Sequence, residues 1–271
     1  MLRDITIGQH FPGDSIVHNC DPRLKLVATI GYVVVLYACG NAVGVALSIL
    51  LLLALYAIAK VPVKLILKSL KPIVPIIAFT GIINLLFYPG ETPLVSFWIF
   101  NIYPEGITFA VLMAVRILAL IAGTSLLTYT TSPTVLTDAI ENLLRPLSKI
   151  HVPVHEFAII MTIALRFIPT LVDETEKIMN AQKARGAQLD TGKLGQRLKA
   201  LVPILIPLFI SAFRRADELA MAMECRCYRG GAGRTQLKVL KFGKNDFLCL
   251  GFCVVTFGII LATRWVFPVI G

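Results

Sequence analysis

From Leu26 to Ala59 the chain carries no charged side chain, and further apolar stretches of helical length follow near residues 73–88, 107–128 and 247–266. None of them alternates polar and apolar residues with a period of two. Hydrocarbon offers the backbone no water to bond, so only α-helices and closed barrels cross it, and a barrel needs that alternation. The chain is therefore read as all-α, a polytopic helical membrane protein. A mean hydropathy of +0.78 with only 15% charged residues lies far outside the range of soluble domains.

The 26–59 block is too long for one span and is broken by "CGNAVG" at 39–44, which predicts a tight turn between two helices. With the three later stretches this gives about five spans. Arg3, Arg23 and Lys25 precede the first span, and Lys60, Lys64, Lys68 and Lys71 follow the second without an acid among them. The lysines recur at helical spacing beside Leu65, Ile66 and Leu70, the pattern of an amphipathic segment at a lipid surface. The connectors on the opposite side, "CGNAVG" and residues 89–106, hold no Lys or Arg. By the positive-inside rule the N-terminus is cytoplasmic, and five spans put the C-terminus outside. The net charge of +10 then records topology, and no nucleic-acid partner is inferred from it. The opening residues lack the apolar core and cleavage site of a signal peptide.

Nearly all remaining bases fall in residues 133–245. The predicted organisation is an N-terminal membrane part (1–132), a cytoplasmic or interfacial domain (133–245) and a last span (246–271). Two stretches in the middle part, 156–172 and 200–213, are apolar but interrupted by Glu156, Arg166 and Pro169, and by Pro203 and Pro207. If they crossed as a pair, six bases from Lys177 to Lys199 would lie outside, so they are placed at the inner face. Each continues without a break into a polar half, giving composite helices of about 30 residues, or ~45 Å at 1.5 Å per residue. The first ends on "KARG" at Arg185 and the second on "ECRCYRG" at Arg226. Superposing the two arginines sets Asp173 and Glu174 over Arg214 and Arg215, which suggests two crossing struts with opposite charges at the crossing.

A cation in the last turn followed by glycine is an ordinary helix ending. Its recurrence, with each arginine between small residues (Ala184 and Gly186, Cys225 and Cys227), points further. An uncrowded guanidinium presents a planar fork of donors to a carboxylate or carbonyl cluster on a partner.

Together with "GQHFPGDSIVHNCDPRLKL" and "LRFIPTLVDETEKIMNAQKARG", the two tips make the chain resemble the transmembrane T component (EcfT family) of energy-coupling factor (ECF) ABC transporters, over nearly its whole length. The resemblance implies a cytoplasmic coupling domain of crossing helices near 133–151, 154–186 and 198–229, in a prokaryotic cell membrane. It implies two ABC ATPase partners, of A and A′ type, docked on Ala184-Arg185-Gly186 and Cys225-Arg226-Cys227. It also implies a membrane S component that binds a vitamin or other micronutrient. The second tip carries cysteines where the family's commoner form is Ala-Arg-Gly. The apolar halves, with Phe167, Ile168, Leu205 and Phe209, are the expected S-component surface. The resemblance implies a non-catalytic subunit without cofactor or metal, ATP-Mg being bound by the ATPases. A T component dedicated to cobalt or nickel remains open beside it.

Other chemistry is less well supported. "GGAGRT" at 230–235 lacks the lysine and preceding strand of a phosphate loop. The single Cys-x-Cys has no second ligand pair. A cytoplasmic active site would need convergent His, Asp or Glu, and a secondary carrier would need ionisable groups in its spans or an inverted repeat. His151 and His155 flank Pro153 at a helix junction. Arg116, near mid-membrane, demands a partner, for which Asn84 is the candidate.

Overall fold

The computed structural model describes residues 11–87, 95–97, 100–150, 152–187, 194–230 and 242–266. They form two compact units, Gly8–Ala139 with Val239–Gly271, and Ile140–Lys238.

The first unit opens with a single turn, α1 (Ile16–Asn19), and the long helix α2 (Pro22–Ala38). Asp21 caps α2: its carboxylate accepts the Arg23 backbone N–H at 2.9 Å, and Pro22 stands at the first helical position, where no N–H is needed. The predicted turn at 39–44 lies between α2 and α3 (Ala42–Ala59), with the Asn41 side chain accepting from the Gly44 N–H as the second cap. α3 ends on Lys60 in a left-handed conformation. α4 (Val63–Leu70) carries the exposed Lys64 and Lys68 and passes through a tight turn at Lys71–Ile73 into α5 (Val74–Phe87).

Beyond α5, β1 (Val95–Phe97) and β2 (Phe100–Ile102) pair antiparallel, Phe97 opposite Phe100. This minimal hairpin is an addition to the helical reading, formed where "VSF" and "FNI" supply β-branched and aromatic residues. α6 (Pro104–Thr130) runs 27 residues, and α10 (Lys244–Val266) closes the unit. Tyr32, Leu36, Leu52, Tyr56, Ala119 and Tyr129 form its core. The three tyrosine hydroxyls donate to backbone carbonyls of Ala119, Ala122 and Leu65, as buried phenols require.

At the α2–α3 turn a buried polar knot joins three parts of the chain. Asn41 Nδ2 donates to the Thr263 carbonyl at 2.7 Å, Cys39 Sγ donates to Asn41 Oδ1 at 2.8 Å, and Arg116 Nη2 donates to the Cys39 carbonyl at 2.9 Å. Arg264 Nη1 reaches the Ala38 carbonyl at 3.3 Å. Two cations thus meet the negative end of the α2 dipole. This corrects the expected Asn84 partner for Arg116, since Asn84 Nδ2 bonds Thr80 O in its own helix.

α7 (Pro133–Leu144) leads into the second unit, which holds α8 (Val154–Ala184) and α9 (Leu194–Cys225). His155 Nδ1 lies 2.9 Å from Glu141 Oε1, tying the start of α8 to α7, while His151 lies outside the described residues.

Among the described residues five helical stretches are long and apolar enough to cross a membrane: Ala42–Ala59, Val63–Phe87, Pro104–Thr130, Val154–Ala184 and Asp246–Val266. α2, with 17 residues, falls one short of that length. α8, which the sequence reading put at the inner face, is nevertheless among these five, its first half being apolar enough to qualify despite Glu156 and Arg166.

Candidate functional site

The two arginine tips have the same backbone. At the end of α8, Gly186 N–H bonds Lys183 O at 3.0 Å and Ala187 N–H bonds Gln182 O at 3.0 Å, with Gly186 at φ +86°. At the end of α9, Cys227 N–H bonds Glu224 O at 2.8 Å and Tyr228 N–H bonds Met223 O at 3.0 Å, with Cys227 at φ +58°. Both are Schellman caps in the same register, with the arginine at the last half-helical position. Arg185 and Arg226 are exposed, and neither side chain has a salt bridge or hydrogen bond to another described residue.

Cys227 therefore holds the left-handed position that glycine takes at the first tip, at a cost of roughly 1–2 kcal/mol for a residue with a Cβ. Replacing Cys227 by glycine should relieve that strain and raise the melting temperature by a few degrees, on the order of 2–4 °C per kcal/mol. Around Gly186 an added Cβ meets nothing within 4 Å, so Gly186→Ala should lose a similar amount through the backbone alone. Thermal scans of the two variants in the same detergent check both signs.

Between the tips, α8 and α9 touch at two levels. Gln182 Nε2 donates to the Pro203 carbonyl at 3.3 Å. Within a helix that carbonyl would receive the N–H of residue 207, but residue 207 is proline, so the donor comes from the neighbouring helix. Farther along, Ser211 Oγ donates to Glu174 Oε1, and Arg215 Nη2 donates to Glu174 Oε2 at 2.9 Å. Going back from Gln182 to Glu174 on α8 moves forward from Pro203 to Ser211 on α9, so the helices run antiparallel here. Arg226 then lies 23 residues (226 minus 203) beyond the residue Gln182 touches, ~35 Å along α9 at 1.5 Å per residue. The tips face apart.

The Ser211 hydroxyl, then Arg215, holds the Glu174 carboxyl below the usual carboxylate range, against the opposing effect of desolvation. A lowered folded value means this contact contributes fully above the ordinary carboxylate pKa of ~4.3 and fades as pH falls through the lowered value. Acid unfolding of the wild type should show that loss, and the Glu174→Gln variant should lack it; identical acid limbs would contradict the contact. Asp173 and Arg214, grouped with this pair in the sequence reading, are exposed and make no ion pair among the described residues. Gln182 and Ser211 were missed by that reading, although Pro207 announces an orphaned carbonyl at Pro203.

Of the four apolar residues singled out, Leu205 and Phe209 are exposed, at 45% and 59%, while Phe167 and Ile168 are half-buried. Leu201, Val202, Ile206 and Phe213 are exposed as well, making an uncovered stripe along α9 at helical spacing. Ala184, Cys225 and Cys227 are also exposed. Among the described residues no group of three or more His, Cys, Asp or Glu is placed to hold a metal.

A family model described as "Cobalt transport protein" (CbiQ) matches residues 13–237, a stretch that includes both tips and the crossing. The energy-coupling factor transporter transmembrane protein EcfT of Ruminiclostridium cellulolyticum is 51% identical over 98% of this chain and 100% of its own length. The chain belongs to the EcfT family. The EcfT protein of Clostridium kluyveri is 54% identical, with 92% of each chain covered, and that of Lactococcus lactis 43%, covering 97% of this chain and 99% of its own. The Ruminiclostridium cellulolyticum and Lactococcus lactis alignments, over 98% and 97% of this chain, extend the EcfT likeness into α10, beyond the residues that the CbiQ match covers. Membership makes this chain a membrane component of a transporter, in keeping with its apolar helices.

Proposed function

We propose that this chain is the energy-coupling subunit of an ECF-type importer, passing ATP-driven motion from two ATPases to a substrate-binding S component. The supporting observation is the pair of like-capped tips, each offering an exposed arginine, at opposite ends of an antiparallel helix pair. One ATPase docks on Ala184-Arg185-Gly186 and the other on Cys225-Arg226-Cys227. Closure of the nucleotide-loaded ATPases draws these points together, and the crossing at Glu174 and Arg215 turns that motion into a tilt of the apolar halves. The stripe at Leu205 and Phe209, with Phe167 and Ile168, is the surface that grips the S component. Residues 133–245 and the N-terminus face the cytoplasm, the side favoured by their lysines and arginines. ATP-Mg binding and hydrolysis belong to the ATPases, and the vitamin or micronutrient to the S component.

A T component dedicated to cobalt or nickel uptake is the second reading, kept because the matching family model is described as a cobalt transport protein. Reconstitution with two ATPases and either a vitamin-binding or a cobalt-binding partner decides between them. ATP-dependent uptake that needs this chain is the expected result; uptake that persists without it would overturn the assignment.

A further inference from the structure

The first unit contains an apolar cavity of about 400 Å³, lined by residues of α1, α2, α3, α6 and α10. Three thiols face it: Cys20, Cys249 and Cys253. Cys20 follows α1 and is buried, Cys249 sits in the second turn of α10 and is half-buried, and all six cysteines are free. The sulfurs of Cys20 and Cys249 are 2.9 Å apart, although 229 residues separate them in the chain.

We propose that Cys20 and Cys249 are a redox-active dithiol that closes to a disulfide when a peroxide enters this cavity. The contact is held from both sides. The backbone N–H of Asp21, next to Cys20, donates to Asp246 Oδ1 at 2.8 Å. Asp246 is fixed in turn by the Gly243 N–H, 2.7 Å from Oδ2. Asp246 and Cys249 are three residues apart on α10 and so share a face. The bond that pins Asp21 to α10 thereby places Cys20 against Cys249. Distance also separates this chemistry from metal binding. A shared ion with metal–sulfur bonds of ~2.3 Å would spread its sulfurs to about 3.8–4.6 Å, whereas a disulfide needs ~2.05 Å. The gap left to close between the two sulfurs is about 0.9 Å.

The order of the two steps follows from burial. Desolvation, then the contact with Cys249, pushes the Cys20 thiol up to about 12, so Cys20 is the poor first nucleophile. Cys249 loses its proton and its sulfur attacks one peroxide oxygen. The O–O bond breaks, giving a Cys249 sulfenic acid and, with the released proton, one water. Cys20 sulfur then attacks the sulfenic sulfur. The S–S bond forms, the S–O bond breaks, and hydroxide leaves with the Cys20 proton as a second water. Two thiols are oxidised by two electrons and one hydrogen peroxide is reduced to two waters. On the topology proposed above this end of the unit faces the cytoplasm, where disulfides form transiently and report oxidation.

The test treats the full chain in lipid nanodiscs with excess hydrogen peroxide, unfolds it in detergent, alkylates free thiols and maps the peptides without reduction. A linked peptide containing Cys20 and Cys249 is expected, two hydrogens lighter than its parts, with loss of alkylation at both positions and full recovery after dithiothreitol. Cys253→Ser should leave the link unchanged, and Cys249→Ser should abolish it. Alkylation undiminished at Cys20 and Cys249, a dominant link to Cys253, or irreversible oxidation of Cys249 without a link would each overturn the proposal. The wild-type map decides alone if a variant fails to fold.

Discussion

Replacing Arg185 and Arg226 together by glutamate should abolish capture of the ATPase subunits while leaving the membrane unit folded. Each tip is built to present its guanidinium. The Schellman cap satisfies the last carbonyls through backbone N–H groups, so the arginine is not needed to close its own helix. Removing one partner of a desolvated, hydrogen-bonded charge pair costs ~2–5 kcal/mol, and reversing its sign adds repulsion, so each single variant should lose at least ~30-fold in affinity. The tips stand about 35 Å apart along α9, too far to share a partner group, so their losses should add, to about 1,000-fold or more for the double variant. Arg185→Lys and Arg226→Lys keep the charge but not the planar fork and should fall between wild type and the glutamate variants. Pull-down of both ATPases by tagged full-length chain, with a thermal scan as folding control, measures this. Retention of both ATPases by the double glutamate variant would sink the docking role of the tips. Intact assembly with lost uptake would move the arginines from docking to transmission of force.

Much of the architecture is legible in the sequence because its signals are local. Asp21-Pro22, Asn41 and Pro104 announce helix starts, and "KARG" announces an end. Alignment of the two tips needs only a spacing of 41 (226 minus 185), and the same spacing separates Glu174 from Arg215, which are in contact. What escapes is what depends on groups the sequence does not distinguish. Arg116 chooses a backbone carbonyl at Cys39, and any residue at position 39 would supply one. The left-handed backbone of Cys227 carries no glycine to betray it. Antiparallel crossing rests on the Gln182 bond to Pro203, visible only through the arithmetic of Pro207. Asn41 and Thr263 meet across 222 residues: Asn41 is legible as a cap, but nothing local pairs it with a threonine in α10. α8 differs again: Glu156, Arg166 and Pro169 argue against a span in the sequence, yet the helix is long and apolar enough to be one.

Gly44→Ala should destabilise the membrane unit more than alanine at any other of its described glycines. A Cβ at this position would stand 1.8 Å from Cys39 Sγ and 2.8 Å from both Asn41 Oδ1 and Thr263 Oγ1. None of these atoms belongs to a loose surface chain: Cys39 is 0% and Asn41 1% exposed. To admit the methyl, Cys39 must turn out of its bond to Asn41, and Asn41 must shift from the Thr263 carbonyl it holds at 2.7 Å. Overpacking costs ~1–3 kcal/mol, and each buried polar group left without its partner adds about 1–3 kcal/mol. The sum, at least ~3 kcal/mol, should lower the melting temperature by roughly 6–12 °C. The cost is specific to the clash, which gives the decisive comparison. Cys39→Ala removes the nearest obstructing atom at the expense of the thiol's contacts with Asn41, Ile260 and Thr263, so the Cys39→Ala/Gly44→Ala double variant should be more stable than the sum of the singles and regain part of what Gly44→Ala loses. Additive losses would show that the methyl does its damage elsewhere. Arg116 supplies a second readout. Its partner is the Cys39 carbonyl, so disorder in the turn deprives a membrane cation of its acceptor, and Gly44→Ala should weaken the effect of any further substitution at Arg116.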